Sequence, residues 1–373
     1  MKIAVYAIAL NEEKHAEAFM ASCRDADLVL IADTGSTDAT ADRLSALGAD
    51  VRQIRIDPWR FDAARSAALA LLPDDVDACV SLDLDQTLTP GWRTLVEAAW
   101  GQGANRLYYP LVHHQAGELG ELAYVDNRIH ARRGFVWRYP CHECLVPDRI
   151  AEHPVVEPNL KVLHAPDLAK SRASYLALLE LGAREAPDDP RAAHYLAREY
   201  FELGRYAEGA RAFERCLALP SSVSAAAERN ASLRWLAHCR EKLGEGDAAL
   251  ALFRQAVDEE PRLRGAWVEL AWAYFRRQAW AECLAAAERA IAFLAVARVY
   301  GDDTSPGVIP EDIASLAAWS LGRPADALAY ARAALAKAPA SPRLRANVER
   351  IEAAIASGAK AFGVSMQPLA DKR

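Results

Sequence analysis

No stretch of this chain reaches the roughly 18 consecutive apolar residues of a membrane-spanning helix, although 52% of its 373 residues are hydrophobic. The apolar opening Met1–Leu10 lacks a small-residue cleavage site and runs directly into Asn11-Glu12-Glu13. It therefore predicts a first buried strand and not a signal peptide. Cysteine is sparse: there are seven, and only Cys141 and Cys144 lie close together. No second pair completes a four-ligand zinc site, and the pair has no thioredoxin-like context. A reduced, cytoplasmic protein is expected. Positive charge is short in the first half. Residues 1–170 hold 17 Lys+Arg against 25 Asp+Glu, and the remainder holds 27 against 26. That balance argues against nucleic acid as a ligand of the first half. A phosphate ligand there would need a cation or a few placed arginines to offset the repulsion.

What is present is an alternation of strand and helix patterns over residues 1–85. Lys2–Ala9 predicts a strand, Glu12–Cys23 an amphipathic helix, and the continuous apolar run Asp27–Ala32 a buried parallel strand. Ala39–Leu47 predicts a helix closed by Gly48, with Ser36 or Thr37 as its N-cap. Val51–Ile56 and Ala78–Leu82 are further strands, with a helix over Phe61–Leu72 stopped by Pro73. Such alternation implies a parallel sheet covered on both faces, with ligands at the carboxyl ends of its strands. Asn11, Asp33 and the pair Asp83/Asp85 all fall at such ends. Two carboxylates at i, i+2 after a strand suit a hard divalent cation beside a diphosphate. Two solvated acids at a strand end have the same pattern. Asp33 is the loop residue that helix capping leaves unexplained, and its carboxylate is suited to accept from a nucleobase N–H or a ribose hydroxyl.

Ile8-Ala9-Leu10-Asn11-Glu12, Asp33-Thr34-Gly35-Ser36-Thr37-Asp38, Arg65 and Asp83-Leu84-Asp85 occur in the order and spacing of family 2 glycosyltransferases. The first 170 residues resemble that family, which implies a GT-A fold: an α/β, Rossmann-like domain with a mostly parallel sheet. The resemblance implies a hexosyltransferase-type enzyme using a nucleotide-sugar donor, usually UDP-linked, a Mn²⁺ or Mg²⁺ ion, and inversion at the anomeric carbon. Carried over by residue, the backbone of Ala7, Ile8 and Ala9, the Asn11-Glu12 step and the Asp33 side chain would hold the nucleoside. Arg65 would lie near the base or diphosphate. Asp83 would touch ribose or metal, and Asp85 would be the main metal ligand. The sequence departs from the family at Arg65-Ser66, where relatives often carry Arg-Asn. It departs again at Gln86, where an acid often follows the second aspartate.

Residues 87–170 are less regular. Tyr124–Ala131 and Gly134–Tyr139 predict a hairpin. Similar glycosyltransferases carry a His-Glu pair after an Arg-x-Phe-type strand. Arg128-Ile129-His130 and then His142-Glu143 occupy those places here. Glu143 is the candidate base for an inverting transfer, with Asp126 in reserve. A pair that merely buttresses a loop is the alternative. His164, after a late strand, is either a further metal ligand or a structural hydrogen-bonder.

From residue 171 the pattern changes to helix pairs. Leu196, Ala197, Tyr200, Gly204, Tyr206, Gly209 and Phe213 sit at tetratricopeptide spacing. The register continues through Leu236, Gly244, Ala249 and Phe253, then through Leu270, Tyr274 and Trp280, then through Gly322 and Ala327. Insertions are expected near Ser221–Ser224 and at Gly301–Gly307, and a capping helix over Ser341–Ile355. The expected layout is a GT-A domain over 1–170, tetratricopeptide-like repeats over 171–357 and a tail over 358–373. Two functions follow. One is a metal-dependent inverting glycosyltransferase acting on a peptide, protein or glycan, with repeats that present the acceptor, engage a partner or self-associate. The other is a non-catalytic scaffold with a degenerate GT-A domain and a peptide-binding repeat.

Overall fold

The computed structural model describes residues 1–113, 122–166, 172–220, 226–293 and 307–357. The expected insertion at 221–224, most of the 301–307 loop, the 170/171 seam and the tail lie outside them. The chain forms two compact units, the first running to Glu199 and the second starting at Tyr200.

The first unit holds strands β1 (Ile3–Ala9), β2 (Leu28–Asp33), β3 (Asp50–Gln53) and β4 (Ala78–Ser81), followed by β5 (Gln86–Leu88), β6 (Arg106–His113) and β7 (Leu122–Ala131). Short strands β8 (Phe135–Arg138), β9 (Cys144–Pro147), β10 (Pro154–Val156) and β11 (Val162–His164) follow. Its helices are α1 (Ala16–Ser22), α2 (Thr40–Ala46), α3 (Phe61–Ala70), α4 (Trp92–Gly101), α5 (Tyr175–Glu185) and α6 (Pro190–Glu202), the last running on past Glu199. Among the described residues the large sheet has the order β3-β2-β1-β4-β7-β6-β11-β5, with β10 alongside β6. β1 pairs in parallel with β2 and β4, and β2 with β3. β7 runs antiparallel to β4, and β11 is parallel to β6 but antiparallel to β5. The sheet is therefore mixed: parallel in its first half, as the repeated β–α pattern requires, and mixed in its second.

Both faces of the sheet are covered, which is why its central strands read as unbroken apolar runs. Ala4, Tyr6, Leu30, Ala32 and Cys79 face Ala68 and Leu69 of α3 and Phe135 and Trp137 of β8. Ile3, Val5, Ala7, Ile31 and Val80 face Phe19 of α1, Leu44 of α2, and Trp92 and Val96 of α4.

Two expectations are corrected here. The hairpin between Tyr124–Ala131 and Gly134–Tyr139 does not form. β7 enters the large sheet with Ala78 opposite Ala131 and Val80 opposite Ile129, while β8 pairs with β9 in a sheet of its own. Ile129 and His130 point to opposite faces and are both fully buried, which a central strand provides and a surface hairpin does not. Nor does the first unit stop near residue 170. Leu178 and Leu179 of α5 pack with Cys141, Trp59, Phe61 and Tyr195, and Arg60 Nη1 donates to Glu185 Oε1 at 2.8 Å.

The second unit is a helical repeat. It comprises α7 (Tyr206–Ala218), α8 (Ala226–Lys242), α9 (Gly246–Glu259), α10 (Arg264–Arg276), α11 (Trp280–Ala292), α12 (Ile309–Ser320), α13 (Pro324–Lys337) and α14 (Pro342–Ser357). Helices pack chiefly on their neighbours in sequence, and α10 also meets α8 and α12. That is the packing of stacked helix pairs. The turns carry the repeat most plainly. Gly244 (φ 80°), Gln278 (φ 57°) and Gly322 (φ 71°) are left-handed at the ends of α8, α10 and α12. Each closes the same pair of bonds. Gly244 N donates to Glu241 O and Glu245 N to Arg240 O, Gln278 N to Phe275 O and Ala279 N to Tyr274 O, and Gly322 N to Trp319 O and Arg323 N to Ala318 O, all between 2.9 and 3.0 Å. This is the Schellman arrangement, which satisfies the last carbonyls of a helix.

Gln278 is the member of this set with a Cβ in a left-handed conformation, which costs an L-residue roughly 1–2 kcal/mol. Gln278→Gly should stabilise the helical unit by about 0.5–1 kcal/mol after the added unfolded-state entropy is subtracted. Urea unfolding followed by far-ultraviolet circular dichroism should show a raised midpoint with an unchanged slope. A lowered midpoint would mean that the glutamine side chain contributes more than its backbone strain costs.

Candidate functional site

β1 is the point at which the order of the sheet reverses: the chain proceeds from β1 to β2 and β3 on one side and to β4 on the other. In open α/β sheets the crevice outside the carboxyl ends of the strands at such a point takes the ligand. Three groups of predicted residues gather at these ends.

The first group is the loop after β1 against the loop after β2. Asn11 is left-handed (φ 55°); its N–H donates to Ser36 Oγ at 2.9 Å and its Oδ1 accepts from Thr37 N at 2.8 Å. Glu12 N donates to Thr40 Oγ1 at 2.7 Å. Asp33 is fully buried. Its Oδ2 accepts from Gly35 N (3.3 Å) and Ser36 N (3.1 Å), and its Oδ1 accepts from Ser36 Oγ. The carboxylate expected to reach a nucleoside is thus spent on its own loop, because its position at the strand end points it into the turn that follows. Ser36 and Thr37 do not cap α2 either; the helix starts at Thr40, whose N–H donates to Asp38 Oδ1 at 3.0 Å. Ala7, Ile8 and Ala9 lie in β1 with their backbone bonded to β2.

The second group is a chain of buried charges. Arg65, on α3, is 4% exposed. Its Nε donates to Glu143 Oε1 at 2.5 Å and its Nη2 to Asp83 Oδ1 at 2.5 Å. Arg128, on β7, donates from Nη1 to Asp83 Oδ2 at 3.0 Å and lies 3.4 Å from Asp126 Oδ2 through Nε. Both guanidinium groups stand over the Trp137 ring, at 5.1 and 6.0 Å. Trp137 Nε1 in turn donates to the Tyr6 hydroxyl at 2.9 Å, so the platform is tied into β1. Burial works against ionised Asp83, but Arg65 and Arg128 outweigh it and hold its carboxyl well below the usual range. Burial likewise works against charged Arg65, and Asp83 and Glu143 reverse it. Gln86 closes this group. Its Oε1 accepts from Asp83 N at 3.1 Å and its Nε2 donates to Asp83 Oδ2 at 3.3 Å. An acid in its place would have no proton to donate and would add a second negative charge beside Asp83, which accounts for the amide.

The third group is Asp85, His164 and His113. Asp85 Oδ2 lies 3.3 Å from His164 Nε2, and His164 Nδ1 lies 3.3 Å from His113 Nε2. Register produces this: His164 of β11 sits opposite His113 on one side and opposite Gln86, next to Asp85, on the other. Burial and the neighbouring His164 push His113 down to about 4.

The expected ligand set of Asp83, Asp85 and His164 is therefore divided. Asp85 and His164 meet, whereas Asp83 turns towards two arginines. Among the described residues no group of three or more His, Cys, Asp or Glu side chains is arranged as a metal cluster. Cys141 and Cys144 are both free, and burial pushes the Cys141 thiol up to about 12. Sequence reading placed Arg128 in the Arg-x-Phe-type strand without a site role, and it missed His113 and Trp137. The i, i+2 charges Asp126 and Arg128 on a strand hinted at a role for Arg128. His113 acquires meaning only from its pairing with His164.

Removing the Arg65 guanidinium leaves two carboxylates short of their counter-charge. Arg65→Met should destabilise the protein by roughly 3–5 kcal/mol, the scale for breaking a buried ion pair from one side. Because Asp83 is held below its unfolded value, its contribution is complete above about pH 4 and is lost as pH falls towards the folded value. The difference between wild type and Arg65→Met in urea unfolding should therefore shrink below pH 4. A difference that stays constant down to pH 2 would mean that the pairs do not act through charge.

No protein-family model matches the chain, and no curated protein matches it. Solved structures do. MamA is 17% identical over 43% of this chain and 80% of its own, with a TM-score of 0.35. A thermophilic tetratricopeptide-repeat protein of Thermus thermophilus is 20% identical over 48% and 90%, with a TM-score of 0.34. YrrB, a tetratricopeptide-repeat protein with an unusual peptide-binding site, is 15% identical over 48% and 82%, with a TM-score of 0.36.

Proposed function

We propose that the first unit is a metal-dependent, inverting glycosyltransferase that takes a nucleotide-sugar donor, UDP-linked by the family resemblance. The observation that carries this reading is the meeting of Asp83, Arg65, Arg128 and Glu143 beside the Asp85–His164 pair, outside the carboxyl ends of the strands at the reversal in sheet order. The loop held by Asp33 and Asn11 would present backbone to the nucleoside. Asp85 and His164 fit a hard divalent cation such as Mn²⁺ or Mg²⁺. Their donor atoms lie 3.3 Å apart, near the separation of about 3 Å for adjacent ligands at 2.0–2.1 Å on an octahedral ion. Asp85 and His164 would hold such an ion, and the chemistry it would supply is positive charge to offset that of the departing diphosphate. Arg65 and Arg128 supply fixed positive charge beside it, and Arg65 Nη1, buried without a hydrogen-bond partner among the described residues, is a donor in reserve. Glu143 would take the acceptor proton on the face opposite the leaving group. Asp126, which accepts from Asn127 N and sits beside Arg128, is the second candidate.

A non-catalytic scaffold is the second reading, and one observation favours it. Asp33, Asp83 and Arg65 are largely satisfied within the protein, as a structural charge network would be. In that case the helical repeats would carry the function by holding a peptide partner. In the first reading the same repeats would present a peptide, protein or glycan acceptor, mediate self-association, or engage a partner. This rests on architecture. No helix among the described residues is long and apolar enough to cross a membrane.

Calorimetry with UDP, with and without Mn²⁺, separates the two readings. The enzyme reading expects binding that needs the ion and is abolished by Asp85→Ala, a substitution at a strand end that leaves the core intact. Absence of nucleotide binding by the wild-type chain would leave the scaffold.

A screen of nucleotide sugars for donor hydrolysis supplies the substrate for a test of the base. Glu143→Gln should leave UDP affinity nearly unchanged and lower turnover about a hundredfold or more. Asp126→Asn should be milder, and the reverse ranking would transfer the role to Asp126. The test needs a hydroxyl acceptor, because a thiol ionises with less help.

A further inference from the structure

Glu143 lies in a strained loop. Tyr139 (φ 78°) and His142 (φ 51°) are both left-handed, although neither is glycine, and they bracket Pro140-Cys141. Side-chain residues hold such a conformation only where their surroundings over-determine it, and it is common at functional sites. Here the surroundings come from the start of α6. Asp189 caps that helix by accepting from Arg191 N at 2.8 Å, and it also accepts from the Tyr139 hydroxyl. Arg191 Nη2 donates to the His142 carbonyl at 3.1 Å, and its guanidinium lies over the rings of Tyr139 (5.6 Å) and Tyr195 (4.8 Å). The Tyr195 ring stacks on the His142 ring at 4.3 Å between centroids and 19° between planes. Tyr175 of α5 meets the same imidazole edge-on at 6.0 Å. Burial, with Arg198, Arg172 and Arg191 around it, pushes His142 down to about 3, so the stacked ring is neutral.

We propose that Tyr195 and Arg191 are positioning residues: they clamp His142 in its left-handed conformation, and the clamp sets the Glu143 carboxylate on Arg65 Nε. The proposal rests on the glycosyltransferase reading for its effect on turnover, but not for its effect on geometry. A shift of about 1 Å in a reacting group costs up to about a hundredfold in rate. Tyr195→Ala should therefore lower turnover of a nucleotide sugar by about tenfold or more, with UDP affinity in Mn²⁺ within about twofold of wild type. Tyr195→Phe, which keeps the stack, should restore turnover. In a Glu143→Gln background Tyr195→Ala should add no further loss, whereas a merely structural role would add its own.

A second readout needs no substrate. In the ¹H–¹⁵N spectrum of the full chain, the Arg65 Nε–H is the resonance displaced by Glu143→Gln. It should persist in Tyr195→Phe and broaden or move in Tyr195→Ala. Arg191→Met, which keeps the aliphatic stem, should move it in the same direction and serves if Tyr195→Ala fails to fold. An unmoved Arg65 Nε–H in both Tyr195→Ala and Arg191→Met overturns the clamp, whatever the chemistry. A moved resonance with no nucleotide-sugar turnover by wild type would sustain the clamp and reject the glycosyltransferase reading.

Discussion

The Arg65 guanidinium, 4% exposed, joins parts of the chain that are distant in sequence. It comes from α3, bonds Asp83 just beyond β4 and Glu143 in the loop before β9, and lies on Trp137 of β8. A buried cation of this kind is tolerated only with its counter-charges in place. Its presence therefore constrains α3, the end of β4, the small two-stranded sheet and the 139–144 loop at once. Arg128 extends the constraint to β7, so that two positive and three negative groups alternate along one edge of the sheet.

Acid excess in the first half takes on a different meaning in this light. Four of these carboxylates have specific partners. Asp33 organises a loop, Asp83 and Glu143 neutralise a buried arginine, and Asp85 faces a histidine. The amide at Gln86 follows from the same division, since it stabilises Asp83 by a bond that a carboxylate could not donate.

Much of this was legible in advance. The buried parallel strands β1, β2 and β4 follow from apolar runs of strand length, and the helical repeat from Gly204, Gly244 and Gly322 falling where a tetratricopeptide turn falls. The partners of the two strands within Tyr124–Tyr139 were not legible, because adjacency along the chain and strand pattern are the same whether two strands pair with each other or with different partners. Nor was the reach of the first unit to Glu199. Helix periodicity in α5 reveals an apolar face, not that Trp59, Phe61 and Cys141 are what it covers.

By itself, the sequence determined which residues stand at the carboxyl ends of the strands: Asn11, Asp33, Asp83 and Asp85. Strand period and loop chemistry are local properties. The tertiary structure alone decided what each of those side chains faces. Arg65, Arg128 and Glu143 come from α3, β7 and the loop before β9, and a buried charge selects its partner by distance and desolvation, neither of which is written in sequence spacing. The pairing of His113 with His164 is decided in the same way, by a register between β6 and β11 that exists only once the sheet has formed.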